Sequence, residues 1–243
     1  MRRAACLALL LASAGCEASL PTDQQTASET ETTAPQAGAK PDTARPVLAH
    51  LAVNFAPYDP RTGRAGDFDF TAEKGLRKIV REFGAPVTTP DGSTKHLPEL
   101  DYFVPGGYPI VAIIDGVVSW VQEQGERDYE LLLQPSAKNP WWVSYDHVRD
   151  LRVSAGQQVK VGDTLAVASG DDRHGFFELM VGSYADTTAV CPLLLLAPEK
   201  RAAAEASIAR LMKDWEEFKG DPGVWDEAAM TRPGCSLDRM HSY

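Results

Sequence analysis

The alternation of apolar and polar residues between positions 101 and 182 constrains the fold of this chain more than any other feature. Short runs with a period of two residues, such as YPIVAII (108–114) and DYELLLQ (128–134), are separated by glycine and polar residues. Because the side chains of a β-strand point alternately to its two faces, this period predicts short strands with one buried face. The sequence therefore predicts a compact, mainly β core.

Further strands are predicted over WWVSYDHV (141–148), QQVKVGDTLAVAS (157–169) and FFELMVG (176–182). An Asp-Gly pair between apolar runs is typical of a tight β-hairpin. Asp115-Gly116 is such a pair, so we expect the run before it to form a hairpin with VVSWVQ, 117–122.

Two helices are predicted to flank the β core. A short amphipathic helix is predicted over 72–83, where apolar residues fall at helical spacing: Leu76, Ile79, Val80 and Phe83. A long helix is predicted to begin at Pro198 and end at Gly220, because one apolar stripe runs along it: Ile208, Leu211, Met212, Trp215 and Phe218.

The N-terminus has the layout of a bacterial export signal. Arg2 and Arg3 precede an apolar run, and small residues stand directly before Cys16. This layout resembles that of bacterial lipoproteins, so residues 1–16 are predicted to be a signal segment that ends at a lipidated Cys16. Ordinary cleavage with Cys16 as a passenger is the alternative. A lipid anchor would place the protein in the bacterial cell envelope, on a membrane and facing the periplasm or the surface.

Residues 17–45 are predicted to be a disordered tether. They are rich in Thr, Ala, Pro, Gln and acidic residues and contain no aromatic residue, so they cannot bury enough apolar surface to fold. The rest of the chain divides into an N-terminal extension with the short helix (46–95), a β domain (96–197), and a C-terminal helix with an irregular tail (198–243).

The charge of the chain argues against nucleic acid as a partner. Cleavage would remove Arg2 and Arg3 from the 24 basic residues and none of the 34 acidic ones, which takes the net charge from −10 to −12. A strongly acidic protein is repelled by phosphate backbones and by anionic lipid headgroups.

Of the four cysteines, Cys6 lies in the predicted signal segment and Cys16 is the predicted lipidation site, which leaves Cys191 and Cys235. In an oxidising export compartment an even pair predicts a disulfide. Closing a loop of about 45 residues would stabilise the fold by about 4 kcal/mol. Two buried free thiols are the alternative.

Several short motifs follow one another in a definite order in the β domain. Asp101 lies four residues before Pro105, and then come the Asp-Gly pair, a Tyr-x-His strand end and a V-x-x-G-x-x-V-x-x-G-D run at 153–163. This order resembles that of the lysostaphin-like peptidoglycan metalloendopeptidases, a family with the duplicated hybrid motif fold. The resemblance implies a lysostaphin-like domain, a β-sandwich or barrel-like hybrid.

The resemblance also implies a zinc ion with three protein ligands and one open position, where a bound water becomes the nucleophile. Carried over position by position, Asp101 matches the ligand aspartate of the family. His147 and His174 match the two histidines that assist catalysis, and Glu178 matches the acid that closes the family's H-x-H strand.

Two ligand positions of the family do not carry over. The residue four before Asp101 is Leu97, with His96 one residue out of register, and the second histidine of the H-x-H strand is Phe176. A phenyl ring has no lone pair for zinc, and its neighbours along a strand point to the opposite face. At most His96 and Asp101 remain as ligands of the family type.

We therefore expect a degenerate site with no bound cofactor, whose old groove is lined by Phe176, Glu178 and Tyr145. The predicted function is that of an envelope lipoprotein that is not catalytic and binds peptidoglycan or an envelope protein partner. The alternative is an active zinc metalloendopeptidase that cleaves peptidoglycan cross-bridges with a rearranged metal site, in which His147 and His174 are catalytic.

Overall fold

A computed structural model of the protein describes residues 42–241. The predicted signal segment, Cys16 and residues 17–41 of the predicted tether lie outside this range. Within the described range, no helix combines the length and the apolar character that crossing a bilayer requires.

The described chain is mainly β, as the sequence predicts. The first seven strands are β1 (Tyr58–Asp59), β2 (Arg64–Ala65), β3 (Phe68–Asp69), β4 (Val80–Arg81), β5 (Pro86–Thr88), β6 (Thr94–His96) and β7 (Glu99–Pro105). The strands that follow are β8 (Pro109–Val111), β9 (Gly116–Gly125), β10 (Asp128–Gln134), β11 (Trp141–Arg149), β12 (Gln158–Val159), β13 (Thr164–Gly170), β14 (His174–Ser183), β15 (Thr188–Val190) and β16 (Arg239–His241). The helix α1 spans Pro198–Lys219, and 3₁₀ turns lie at Pro192–Leu195 and Glu227–Ala229.

Most of these strands form one large sheet. Its path is β12-β9-β10-β11-β13-β14-β15-β16, with β7 added on β14, β4 added on β7, and β8 added on β13. Strand β11 also pairs with β14, so β7, β14, β11, β10 and β9 lie side by side in antiparallel order. The strands β1 to β3 form a small separate sheet, and β5 and β6 form a two-stranded ribbon.

The long C-terminal helix is confirmed. It begins at Pro198 and is capped by Gly220 in the left-handed conformation, and its apolar stripe packs into the core, where Trp215 and Phe218 contact Phe70 of the N-terminal segment. Trp215 is fully buried at the centre of this contact, and its indole Nε1 donates a hydrogen bond to the carbonyl of Arg77 at 2.8 Å.

The predicted N-terminal helix over 72–83 is wrong. Turns span the first part of this segment, and Val80 and Arg81 pair instead with Tyr102 and Asp101 as the edge strand β4. Tertiary contacts outweigh the helical spacing of this segment. The backbone of Val80 and Arg81 pairs with the open edge of β7, and two carbonyls earlier in the segment accept hydrogen bonds from Lys219 of α1.

The predicted hairpin at Asp115-Gly116 is also wrong. The strand before it, β8, pairs with β13, whereas the strand after it, β9, pairs with β10 and β12. The glycine is required for another reason: a Cβ atom on Gly116 would lie 2.2 Å from the carbonyl oxygen of Gln134. Asp115 closes the turn by accepting a hydrogen bond from the backbone of Val161 at 2.9 Å.

The disulfide between Cys191 and Cys235 is present, and both residues are fully buried. It ties the tail to the end of β15, directly beside the β15–β16 pairing. The irregular C-terminal segment is therefore a packed part of the fold.

Candidate functional site

The candidate site lies on the face of the large sheet that is opposite the core. Asp101 on β7 is directly opposite Glu178 on β14, and Glu178 is directly opposite Asp146 on β11. Directly paired residues share a face, so the three carboxylates form a row across three strands. Glu99, two residues from Asp101 on the same strand, extends the row.

Asp101 is completely buried and its closest charged partner is Arg81. Arg81 Nε lies 2.5 Å from Asp101 Oδ2, across the β4–β7 pairing. The approach is a contact of opposite charges without hydrogen-bond geometry, because Arg81 Nε and both carboxylate oxygens of Asp101 have no hydrogen-bond partner among the described residues. The guanidinium of Arg81 therefore lies beside Asp101, the residue that matches the zinc-ligand aspartate of the lysostaphin-like family.

The ligand oxygens of Glu99, Asp101 and Glu178 all lie within 4.8 Å of one another. Burial, and then the charges of Glu178 and Asp101, raise the pKa of Glu99 to about 8. Burial and the Glu178 carboxylate raise the pKa of Asp101 to about 7, although Arg81 acts in the opposite direction. The cluster is therefore crowded with negative charge that one arginine only partly balances.

His147 reaches the same face through an irregularity of its strand. Strand β11 pairs with β14 as far as Asp146 and with β13 from Val148, and His147 between them has a positive φ of 55°. This departure from strand geometry brings Asp146 and His147 to one side, where their ligand atoms and that of Glu178 lie within 4.8 Å of one another.

The His147 ring is held by a carboxylate. Its Nδ1 is 2.9 Å from Asp128 Oδ2, and the other oxygen of Asp128 accepts a hydrogen bond from Ser169 at 2.7 Å. The Nε2 atom is 3.8 Å from Glu178 Oε1. Burial lowers the pKa of His147, but the Asp128 hydrogen bond and the nearby charges outweigh it, so the net shift of the pKa is upward.

His174 has a different partner. Its Nδ1 lies 2.9 Å from Oε1 of the buried Glu73, which comes from the turn segment before β4. This hydrogen bond, with the charge of Glu73, raises the pKa of His174. Glu73 and His174 lie on the wall of a cleft of about 430 Å³ that also contains Phe103 and Phe176.

Phe176 occupies the strand position between His174 and Glu178 on this face. Its ring lies 5.1 Å from the His147 ring and 5.0 Å from the Phe103 ring. The guanidinium carbon of Arg81 is 5.6 Å from the Phe103 ring centre and 5.9 Å from the Phe176 ring centre. The two phenyl rings therefore form a cation–π support for Arg81.

Two predicted site residues lie elsewhere. His96 ends β6, where its Nδ1 is 2.8 Å from the carbonyl oxygen of Gly84, and neither of the described ligand groups at the site includes it. Tyr145 was predicted to line the groove, and this is wrong: it is fully buried, and its hydroxyl accepts a hydrogen bond from the amide of Ile113. It points to the core because it neighbours Ser144 and Asp146, whose side chains take the other face.

A groove continues from the acidic row across the sheet. Met180, Ser144, Leu132 and Trp120 are paired in register across β14, β11, β10 and β9, so they share the open face. The resulting cavity measures about 450 Å³ and is lined by Ser119, Trp120, Glu130, Leu132, Gln134, Trp142, Met180 and Tyr184. It presents aromatic rings beside carboxylate, amide and hydroxyl groups.

Comparison with known proteins gives one family match. Residues 98–190 match the model of peptidase family M23. The match covers most of the β domain and agrees with its resemblance to the lysostaphin-like fold. The match suggests a metallopeptidase-like function related to peptidoglycan and an envelope context for the domain. No curated protein is significantly similar to the chain in sequence.

Three solved structures illustrate the range of similarity. The catalytic domain of the prophage-encoded M23 protein EnpA from Enterococcus faecalis is 21% identical, with 43% of this chain and 82% of that chain covered and a TM-score of 0.34. Lysostaphin from Staphylococcus simulans is 21% identical over 47% of this chain and 48% of that chain, with a TM-score of 0.37. Helicobacter pylori Csd3 is 13% identical over 82% of this chain and 48% of that chain, with a TM-score of 0.42. This chain thus spans about half the length of the last two.

M23 proteins are typically zinc peptidases, and acidic and histidine residues that could hold a metal are present at this site. The residues do not fit the family's zinc centre, however. No histidine joins Asp101 in a ligand group within the described residues, and the strand position where the second ligand histidine is expected holds Phe176. The nearest group to the Asp101 carboxylate is a guanidinium that already carries positive charge.

Sequence reasoning missed four residues of the site, namely Arg81, Glu99, Asp128 and Asp146. Arg81 was hidden inside a predicted helix, and Asp128 opens a strand far from His147 in the chain. The alternation along β7 does place Glu99 on the face of Asp101, so this residue was accessible to sequence analysis.

Proposed function

We propose that this protein is a bacterial envelope lipoprotein whose M23-type domain binds peptidoglycan without cleaving it. The set of side chains around Asp101 carries the proposal. A guanidinium pairs with Asp101, and a phenyl ring stands at the strand position where a hydrolytic zinc centre of this family needs an imidazole. The domain type supports cell-wall material as the ligand, and the N-terminal pattern ending at Cys16 supports the lipid anchor.

The open face of the sheet supports a binding role. Trp120 and Tyr184 leave 38% and 62% of their surfaces exposed at the rim of the groove, although aromatic rings of this size are commonly buried. Aromatic faces suit the apolar faces of sugars and peptide side chains. Glu130 is positioned on the groove wall by a hydrogen bond from Ser144 at 2.6 Å, so a polar group is already oriented toward a ligand.

The alternative of an active zinc metalloendopeptidase is favoured by one observation. His147 is oriented by Asp128, and it forms a possible ligand group with Asp146 and Glu178, whose ligand atoms lie within 4.8 Å. A rearranged centre of that kind would use other ligands than those of the family.

Co-sedimentation of the full chain with purified peptidoglycan separates these functions. We expect the protein to pellet with the wall, to release no soluble peptides, and to lose retention in a Trp120→Ala, Tyr184→Ala double variant. Val161→Ala, which removes an exposed apolar side chain outside the groove, is the matched control. Release of wall peptides that a chelator abolishes would establish the alternative. Failure to pellet, together with a captured envelope protein, would replace the wall by a protein partner.

A further inference from the structure

We propose that Arg81 is a resident cation: by pairing with Asp101 it takes the place of a metal ion at this carboxylate, and it keeps a latent divalent-cation site of the Glu99–Asp101–Glu178 cluster closed. Three independent features of the structure lead to this inference.

The first feature is the geometry of the cluster. Three carboxylates from two adjacent strands bring their oxygens within 4.8 Å of one another, a spacing that allows one ion to contact all three. Asp101 is at the centre, has no exposed surface, and neither of its oxygens accepts a hydrogen bond from the described residues. In its ionised form a buried carboxylate without hydrogen-bond donors is strongly stabilised by a cation beside it.

The second feature is the position of Arg81. It is the residue of β4 that pairs directly with Asp101, so the backbone register delivers its side chain to this carboxylate. The Nε atom approaches Asp101 Oδ2 to 2.5 Å, and the guanidinium is supported by Phe103 and Phe176. An arginine cannot lose its proton in a protein, so the cluster always contains this charge.

The third feature is the identity of Phe176. An imidazole at this position could serve as a metal ligand, whereas the phenyl ring present there provides a π-face for a guanidinium. The phenyl ring, which cannot ligate a metal, and the guanidinium, which repels one, therefore lie together at one place. The raised pKa values of Glu99 and Asp101 agree with a cluster that still lacks positive charge.

The inference is tested by titrating the full chain with Zn²⁺ alone and measuring the binding by isothermal titration calorimetry. Arg81→Met removes the charge and keeps much of the side-chain volume, and Arg81→Lys keeps the charge. We expect Arg81→Met to bind about one more equivalent of zinc than the wild type, and Arg81→Lys to bind no more than the wild type. Adding Asp101→Asn to Arg81→Met should abolish the extra equivalent, which separates the cluster from adventitious binding by surface histidines.

Arg61→Met is the matched control, because Arg61 pairs with Asp59 at the surface with 88% of its side chain exposed. It should leave zinc binding unchanged. The inference is overturned if folded Arg81→Met binds no more zinc than the wild type, or if the wild type itself binds an equivalent that Asp101→Asn removes.

Unfolding measurements keep the inference testable if Arg81→Met folds poorly. When the role of Arg81 is to neutralise Asp101, the Arg81→Met, Asp101→Asn double variant should have a higher melting temperature than Arg81→Met. A double variant no more stable than Arg81→Met would overturn the cation role, whatever the result of the peptidoglycan assay.

Discussion

The Nδ1 atom of His147 lies 2.9 Å from Oδ2 of Asp128, and this pair positions a half-exposed imidazole beside the acidic row. Ser169 donates a hydrogen bond to the other oxygen of Asp128 at 2.7 Å, which restricts the carboxylate in turn. Asp128 of β10, itself held by Ser169 of β13, therefore orients the imidazole ring, and the ring's Nε2 atom is directed toward Glu178.

Asp128→Asn should lower the pKa of His147. The Asp128 hydrogen bond is the largest of the influences that raise this pKa, and an amide removes its charge. Because the folded pKa is raised, the contact stabilises the protein fully below the unfolded pKa of about 6.5 and loses its effect as the pH rises through the folded pKa. NMR titration of the His147 ring checks the shift, with Asp186→Asn as a control outside this network. An unchanged His147 pKa would show that Asp128 does not set its protonation.

The free energy of unfolding should decrease as the pH rises from about 4 to about 8. Burial and neighbouring carboxylates raise the pKa of Glu99 to about 8 and that of Asp101 to about 7, so the folded state binds protons that the unfolded chain has released. Glu99→Gln should make the decrease smaller, and the exposed Glu123→Gln should leave it intact. Urea unfolding at about pH 5 and about pH 8 measures both slopes. Equal slopes in the wild type and Glu99→Gln would contradict the prediction.

Gly116→Ala should destabilise the protein by about 1 to 3 kcal/mol, because its Cβ would meet the carbonyl of Gln134. The distance from the added atom to that oxygen is 2.2 Å, and the partner is backbone, which cannot rotate away. Gly125→Ala at the other end of β9 is the matched control, since nothing lies within 4 Å of its Cβ position. Urea denaturation of both variants is the measurement. Similar midpoints for the two would mean that β9 and β10 separate more easily than this packing implies.

Trp215→Ala should destabilise the fold by about 3 to 5 kcal/mol, whereas Trp120→Ala should change stability by much less. Trp215 is a fully buried residue of α1 that packs on Phe70 of the N-terminal segment, and its replacement also removes the hydrogen bond to the Arg77 carbonyl. Trp120 is 38% exposed on the groove face. Thermal unfolding compares the two. A large loss with Trp120→Ala would show that the groove tryptophan is structural, and would weaken its use as a binding probe.

The local pattern of the chain determined the β-rich core and its C-terminal helix. Alternation placed β10, β11 and β14 within a few residues of their bounds, and the apolar stripe with Gly220 placed α1. The single strand predicted over 157–169 is instead two strands, β12 and β13. These signals are local because side-chain direction follows the backbone period. Motif order was sufficient to indicate the family, which the match over 98–190 supports.

The tertiary structure alone decided how Val80 and Arg81 are used. Their spacing favours a helix, but the edge of β7 offers backbone hydrogen bonds to this segment. In addition, Trp215 and Lys219 of α1 donate hydrogen bonds to backbone carbonyls just before Val80. The same reason explains Gly116, whose role depends on Gln134 from the next strand.

Some features of the candidate site were likewise determined by the sequence, and others only by the tertiary structure. The sequence by itself determined that Phe176 stands where a ligand histidine is expected and that Asp101 remains. Only the tertiary structure decided that Arg81 meets Asp101 and that Asp128 holds His147, because strand pairing joins residues that are distant in the chain. Charge balance in a buried cluster depends on every neighbour within a few ångströms, and these neighbours come from strands whose pairing no local pattern specifies.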